Sequence, residues 1–158
     1  MSKREGGRRS PPWLPIILVG TLALGFALQA ILPMPWLAGA AAAVLRWIGV
    51  LAVIAALVAF ASAVAALRRR HTTFRLARPS TALVTDGPFR YSRNPIYTAM
   101  VALIAGAGLA TANLWLVLLA PAAALGLRKL AIEPEERHLQ AQFGDAWSSF
   151  ADKVRRWL

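Results

Sequence analysis

Two short stretches carry residue types and spacings that could do chemistry. The first, Gly87 to Tyr97, reads Gly-Pro-Phe-Arg-Tyr-Ser-Arg-Asn-Pro-Ile-Tyr, and the second is Glu133-Pro134-Glu135-Glu136. In the first, Arg90 and Arg93 sit in a basic, aromatic loop that runs straight into an apolar segment beginning at Ile96. Asn94-Pro95 predicts a helix start, with Asn as N-cap and Pro at the first helical position, where its missing N–H costs nothing. Free N–H groups and the dipole at that helix end favour a carboxylate or phosphate. Two arginines just before it add fixed positive charge able to grip such a group at two points. The same features suit a loop lying on anionic lipid, which is the commoner arrangement. The glutamate stretch predicts another helix start, with Pro134 at its first position; acids there are favoured by the dipole even without a ligand.

The rest of the chain must position these groups in a bilayer. Of 158 residues, 58% are hydrophobic and only 16% charged, which is too apolar for an ordinary soluble domain. The length suits one domain. A net charge of +11 raises nucleic acid as a partner, but the basic residues are scattered between apolar runs, and no zinc-finger, RNP or basic-zipper pattern accompanies them. The absence of Cys rules out disulfides, thiolate metal ligands and a thiol nucleophile. With only His71 and His138, a histidine metal site is not expected.

Residues 1–12 are polar and basic and read as a disordered tail, leaving 13–158 as a single membrane domain. Trp13 to Leu32 is long enough to cross the hydrocarbon once. Its basic flank resembles a signal peptide, but the length of the run and the further spans favour an uncleaved helix. Pro33-Met34-Pro35-Trp36 breaks it, with Trp36 suited to the membrane interface. A second span lies within Leu37 to Leu67, most naturally from near Val44, with Ala55, Ala59 and Ala63 as a small-residue packing face. Arg46, near its start, is expected to snorkel to the outer interface. Arg68-Arg69-Arg70-His71 stops the span, and a polar loop follows to Ser92; His71 reads as an interface residue.

The third segment, Ile96 to Ala112, and the fourth, Leu114 to Leu130, are joined by a tight turn at Ala112-Asn113 and predict a helical hairpin. Ala102, Gly106 and Ala110 share a face expected to let its arms approach closely. Pro121 is a candidate kink. Phe143-Gly144 reads as a helix stop, and Asp145 can cap the next turn. Trp147, Phe150, Val154 and Trp157 then recur on one face, predicting an amphipathic helix on the membrane surface. The fold class is therefore all-α integral membrane, with about four transmembrane helices, a cytoplasmic loop and an amphipathic interfacial helix. Seventeen of the eighteen Lys and Arg residues fall in the N-terminal tail, the 68–93 loop or the chain from Arg128 onward. Four spans with both termini inside satisfy the positive-inside rule and put both stretches on the cytoplasmic face. A bacterial inner membrane is the expected location.

The first stretch resembles the Arg-His-Pro-x-Tyr or Arg-Asn-Pro-x-Tyr signature of membrane methyltransferases typified by isoprenylcysteine carboxyl methyltransferase and the phospholipid methyltransferases. In that family two adjacent glutamates follow a helical hairpin, as Glu135-Glu136 do here, succeeded by Leu139, Phe143-Gly144 and Trp147 in the usual order. The resemblance covers roughly Leu83 to the last residue, the cofactor-site half of the chain. It implies a membrane-embedded enzyme that uses S-adenosylmethionine to methylate a lipophilic or lipid-anchored acceptor, a carboxylate or an amine, reached from the bilayer, with no metal. Arg93, Asn94 and Pro95 are then expected to bind the carboxylate end of the cofactor through the helix terminus, with Gly87 and Pro88 shaping the loop. Tyr91 and Tyr97 would wall the cofactor, Glu135 and Glu136 would take its ribose or ammonium group, and Leu139 would lie against adenine. Arg90, Arg93 and Glu136 are the catalytic candidates, Arg90 by supporting the loop or orienting an anionic acceptor.

Two departures bear on the substrate. Asn94 stands where histidine is common, so it can cap and hydrogen-bond but cannot shuttle protons; Ala99 stands where a glycine often follows the tyrosine. The N-terminal half names no substrate. A nicotinamide-dependent membrane reductase of related architecture and a non-enzymatic membrane scaffold are the alternative readings.

Overall fold

A computed structural model describes residues 13–69 and 83–158. The basic tail, His71 and most of the polar loop that follows it lie outside the described residues. Those described are all-α with no strand: α1 (Trp13–Ile31), α2 (Gly39–Arg69), α3 (Pro95–Ala110), α4 (Leu114–Leu127), α5 (Glu133–Phe143) and α6 (Asp145–Lys153). A 3-10 turn at Gly87–Arg90 precedes α3, and a π-helical turn at Arg128–Ile132 joins α4 to α5. Three helical stretches are long and apolar enough to cross a membrane: Trp13–Ile31, Gly39–Arg69 and Leu114–Phe143, the apolar part of the last being α4 and the π turn. The remaining apolar helix, α3, has 16 residues and is shorter than those three.

Each boundary has a local cause. Pro33 disfavours helical geometry at Leu32 and ends α1, and the Trp115 indole N–H donates to the Leu32 carbonyl at 2.8 Å. The hairpin turn falls at Ala112-Asn113 as expected. Ala112 takes a positive φ of 54°, and Asn113 caps α4 by accepting from the Leu116 N–H at 3.2 Å. The Asn113 amide also donates to the Gly25 carbonyl at 3.0 Å, so this buried polar side chain ties the hairpin to α1. Gly144, at φ 51°, stops α5.

Lipid tails are as apolar as leucine, so helices in a bilayer associate through close packing of small residues. Accordingly α2 buries Ala42, Gly49, Ala56 and Ala63, while Trp47, Leu51, Ile54 and Val58 face outward. The small face is thus a seven-residue repeat, sharing only Ala63 with the expected Ala55-Ala59-Ala63 face; Ala55 is exposed. It packs along α3. A Cβ on Gly106 would lie 3.1 Å from the Val53 backbone nitrogen, so Gly106 meets α2 and not α4 as expected from the sequence. The residue that admits α4 is Gly108, where a Cβ would lie 2.9 Å from the Val117 nitrogen. The second span also begins earlier than Val44, at Gly39, and Arg46 is exposed beside Trp47 near its start.

Glu133-Pro134 is not a fresh helix start. The helix runs on from α4, and the Glu133 N–H donates to the Arg128 carbonyl, five residues back. Pro134 explains the widened turn: it has no N–H for the Leu130 carbonyl, and its ring would strike that oxygen in regular α geometry. Arg128 and Lys129 bond the Glu133 carboxylate at 3.0 and 3.3 Å and brace the turn.

Candidate functional site

The π turn swings α5 toward the start of α3, and the two stretches meet. The Tyr97 hydroxyl donates to Glu135 Oε2 at 2.9 Å. One residue further on, the Glu136 carboxylate lies 3.8 Å from the Arg93 guanidinium. Beneath them a buried cluster of Leu14, Ala63, Ile96, Met100, Leu127 and Ile132 closes the end of the bundle. Pro95, the first residue of α3, is also buried.

A third participant completes the cluster. Arg156 binds Glu136 with both ends of its guanidinium, Nε to Oε1 at 3.0 Å and Nη2 to Oε2 at 2.6 Å. Its carbonyl accepts from the Ser92 hydroxyl and from the Asn94 amide, each at 3.2 Å, and the Arg155 carbonyl accepts from the Arg93 N–H at 2.9 Å. Asn94 therefore stands at the N-cap position of α3 without capping through its side chain, because that side chain reaches across to Arg156. Ser92 takes over locally: its Oγ accepts the Asn94 N–H at 3.1 Å.

The amphipathic helix is α6, with Trp147 and Phe150 buried and stacked edge to face. It stops at Lys153, so Val154 and Trp157, expected to continue its apolar face, follow in irregular chain. Trp157 packs on the buried cluster, and Trp147 lies under Arg93, whose guanidinium carbon is 5.9 Å from the ring centre. Arg93 Nε is buried and without a partner among the described residues.

The two acids differ. Glu136 faces two arginines, whereas Glu135 is half-buried and takes the Tyr97 hydroxyl. Glu136 is thus the ion-paired member of the two. Its hydrogen bond to Arg156 holds that guanidinium's pKa above its ordinary value, outweighing partial desolvation. An open cleft of about 450 Å³ adjoins them, lined by Glu133, Glu136, Arg137, Gln140, Ala141 and Arg156.

Arg93, Asn94, Pro95, Tyr97, Glu135 and Glu136 are brought together. Gly87 and Pro88 lie in the 3-10 turn, Gly87 at φ 60°. Leu139 is half-buried on α5, one helical turn beyond Glu135. Arg90 and Tyr91 stand apart from this group: Tyr91 is 65% exposed, and Arg90 stacks over its ring at 5.1 Å. No hydrogen bond or ion pair joins either to the acid pair among the described residues. Sequence reasoning missed Arg156 and Ser92. Nothing in its local sequence sets Arg156 apart from its basic neighbour Arg155.

The chain is matched over residues 44–146 by the family profile described as phospholipid methyltransferase. No curated protein sequence matches it significantly.

Proposed function

Because the chain belongs to the phospholipid methyltransferase family, we propose that it transfers the methyl group of S-adenosylmethionine to a lipophilic acceptor entering from the bilayer. The observation that carries this reading is the meeting of Arg93 with Glu136 at 3.8 Å, from segments on opposite sides of the hairpin. A donor of this class presents a carboxylate, an ammonium group and ribose hydroxyls. The residues suit it: the partly buried Arg93 guanidinium, whose Nε is unpartnered among the described residues, offers a site for the carboxylate, and Glu136 is a fixed anion for the ammonium group. Glu135 and Leu139, on the adjoining face of α5, suit the ribose and adenine.

The donor supplies a methyl group already activated as a sulfonium. The chain's task is then to position and to exclude water. Arg93, held over the Trp147 ring, fixes one end. Glu136 fixes the other, and the apolar cluster around Ile96, Met100 and Leu127 keeps water from the bilayer side. A lipid or lipid-anchored acceptor reaches such a site without leaving the membrane. The distribution of Lys and Arg supports a cytoplasmic position for it, with both termini on that side.

Protein reconstituted in vesicles and given methyl-labelled S-adenosylmethionine is expected to move label into the organic-extractable or lipid-anchored fraction in proportion to time and protein. Label that stays in the aqueous fraction with every lipid extract and membrane fraction supplied would overturn the proposal.

A further inference from the structure

The segment Val154–Leu158 makes contacts that the catalytic reading gives to a ligand. The Arg155 and Arg156 carbonyls take the Arg93 N–H, the Ser92 hydroxyl and the Asn94 amide, which are donors suited to a carboxylate. The Arg156 guanidinium takes both oxygens of Glu136, the acceptor suited to an ammonium group. Partial negative charge thus sits where a carboxylate would, and a cation sits where an ammonium would. We infer that this segment is an internal stand-in for the amino-acid end of the donor, which must displace it to bind. The inference rests on the donor-site reading above.

Charge counting supports an exchange. With Arg156 in place, two guanidinium cations face the single anion Glu136. If a zwitterionic amino-acid end replaces Arg156, the cluster holds two cations and two anions. The exchange is also like for like. The two-point Arg156–Glu136 pair is a strong contact, and only another cation, such as the donor's ammonium group, can replace the guanidinium there without leaving Glu136 unpaired. The remaining bonds are neutral and about 3 Å long. A competitor that fills the site nine-tenths of the time weakens apparent affinity about tenfold.

The test uses the full chain in detergent and two probes. S-Adenosylhomocysteine carries the amino-acid end, whereas 5′-methylthioadenosine keeps the nucleoside and lacks it. Calorimetric titration is expected to show Arg156→Met binding S-adenosylhomocysteine about tenfold tighter than the unsubstituted protein. The affinity for 5′-methylthioadenosine should stay within about twofold. Unchanged or weaker S-adenosylhomocysteine binding in the variant, or an equal shift for both probes, overturns the inference and leaves the donor site standing. If neither protein binds either probe, the donor site itself fails and this inference falls with it. A second readout needs no variant: S-adenosylhomocysteine should speed tryptic cleavage after Arg155 and Arg156 at least about threefold in the unsubstituted protein as the segment is released. Slower cleavage would mean that the segment closes over the ligand, which contradicts displacement.

Discussion

Glu136→Gln is expected to lower kcat/KM for methyl transfer at least a hundredfold, roughly 3 kcal/mol of lost donor and transition-state binding. The substitution keeps the size and most of the shape of the side chain but removes its charge. It leaves Arg93 and Arg156, which share that carboxylate at 3.8 and 2.6 Å, facing an amide. The donor's ammonium group loses the carboxylate on which both arginines converge, while Glu135 is engaged by the Tyr97 hydroxyl and Glu133 by Arg128 and Lys129. The fold should survive, because the glutamine amide can still accept from Arg156 and the packing of α3 on α2 and α4 does not involve this pair. A labelled-transfer assay beside a melting curve separates the two effects. Activity within about threefold of the unsubstituted protein, with an unchanged melting curve, would reduce Glu136 to a tether for Arg156.

The largest effect on stability is expected at Gly49. A Cβ there would collide with the Ala110 backbone nitrogen and lie 2.7 Å from the Gly106 carbonyl oxygen. These are backbone atoms of α3, so no rotamer change relieves the clash, and α2 must separate from α3. Gly49→Val should cost about 3 kcal/mol or more, lowering the melting temperature in mild detergent by about 10 °C. Methyl transfer should fall with it, since α3 carries the arginine turn. Gly20→Val is the control: nothing lies within 4 Å of a Cβ at Gly20, so melting there should be unchanged. Equal melting temperatures for the two variants would mean that α2 and α3 do not pack in this register.

The elements whose boundaries depend on local chemistry were legible in the sequence. Pro33, the Ala112-Asn113 turn and Gly144 act through their own backbone preferences, and each ends a helix where expected. The meeting of Arg93 with Glu136 was legible too, because two motifs around one hairpin leave few arrangements. Features decided by a partner were not legible. An alanine-rich helix offers several small-residue faces, and the Ala42-Gly49-Ala56-Ala63 face is selected only by contact with α3.

Nothing local marks Lys153 as a helix end, since neither Pro nor Gly follows it. The chain leaves the helix where Ser92, Arg93 and Asn94 capture the Arg155 and Arg156 carbonyls. For the same reason the sequence carries the amphipathic face on to Trp157 and makes Asn94 a simple cap. The two errors are one event, a contact between residues more than sixty positions apart in the chain.

The claim beneath all of this is that the arginine turn and the acid pair form one donor-binding site. It is tested most directly by irradiating the solubilised full chain with methyl-labelled S-adenosylmethionine and mapping the labelled peptides. Label is expected on peptides spanning Ser92–Tyr97 or Glu135–Trp147, suppressed by excess unlabelled S-adenosylhomocysteine. Label confined to α1 or α2, or insensitive to that competitor, would contradict it.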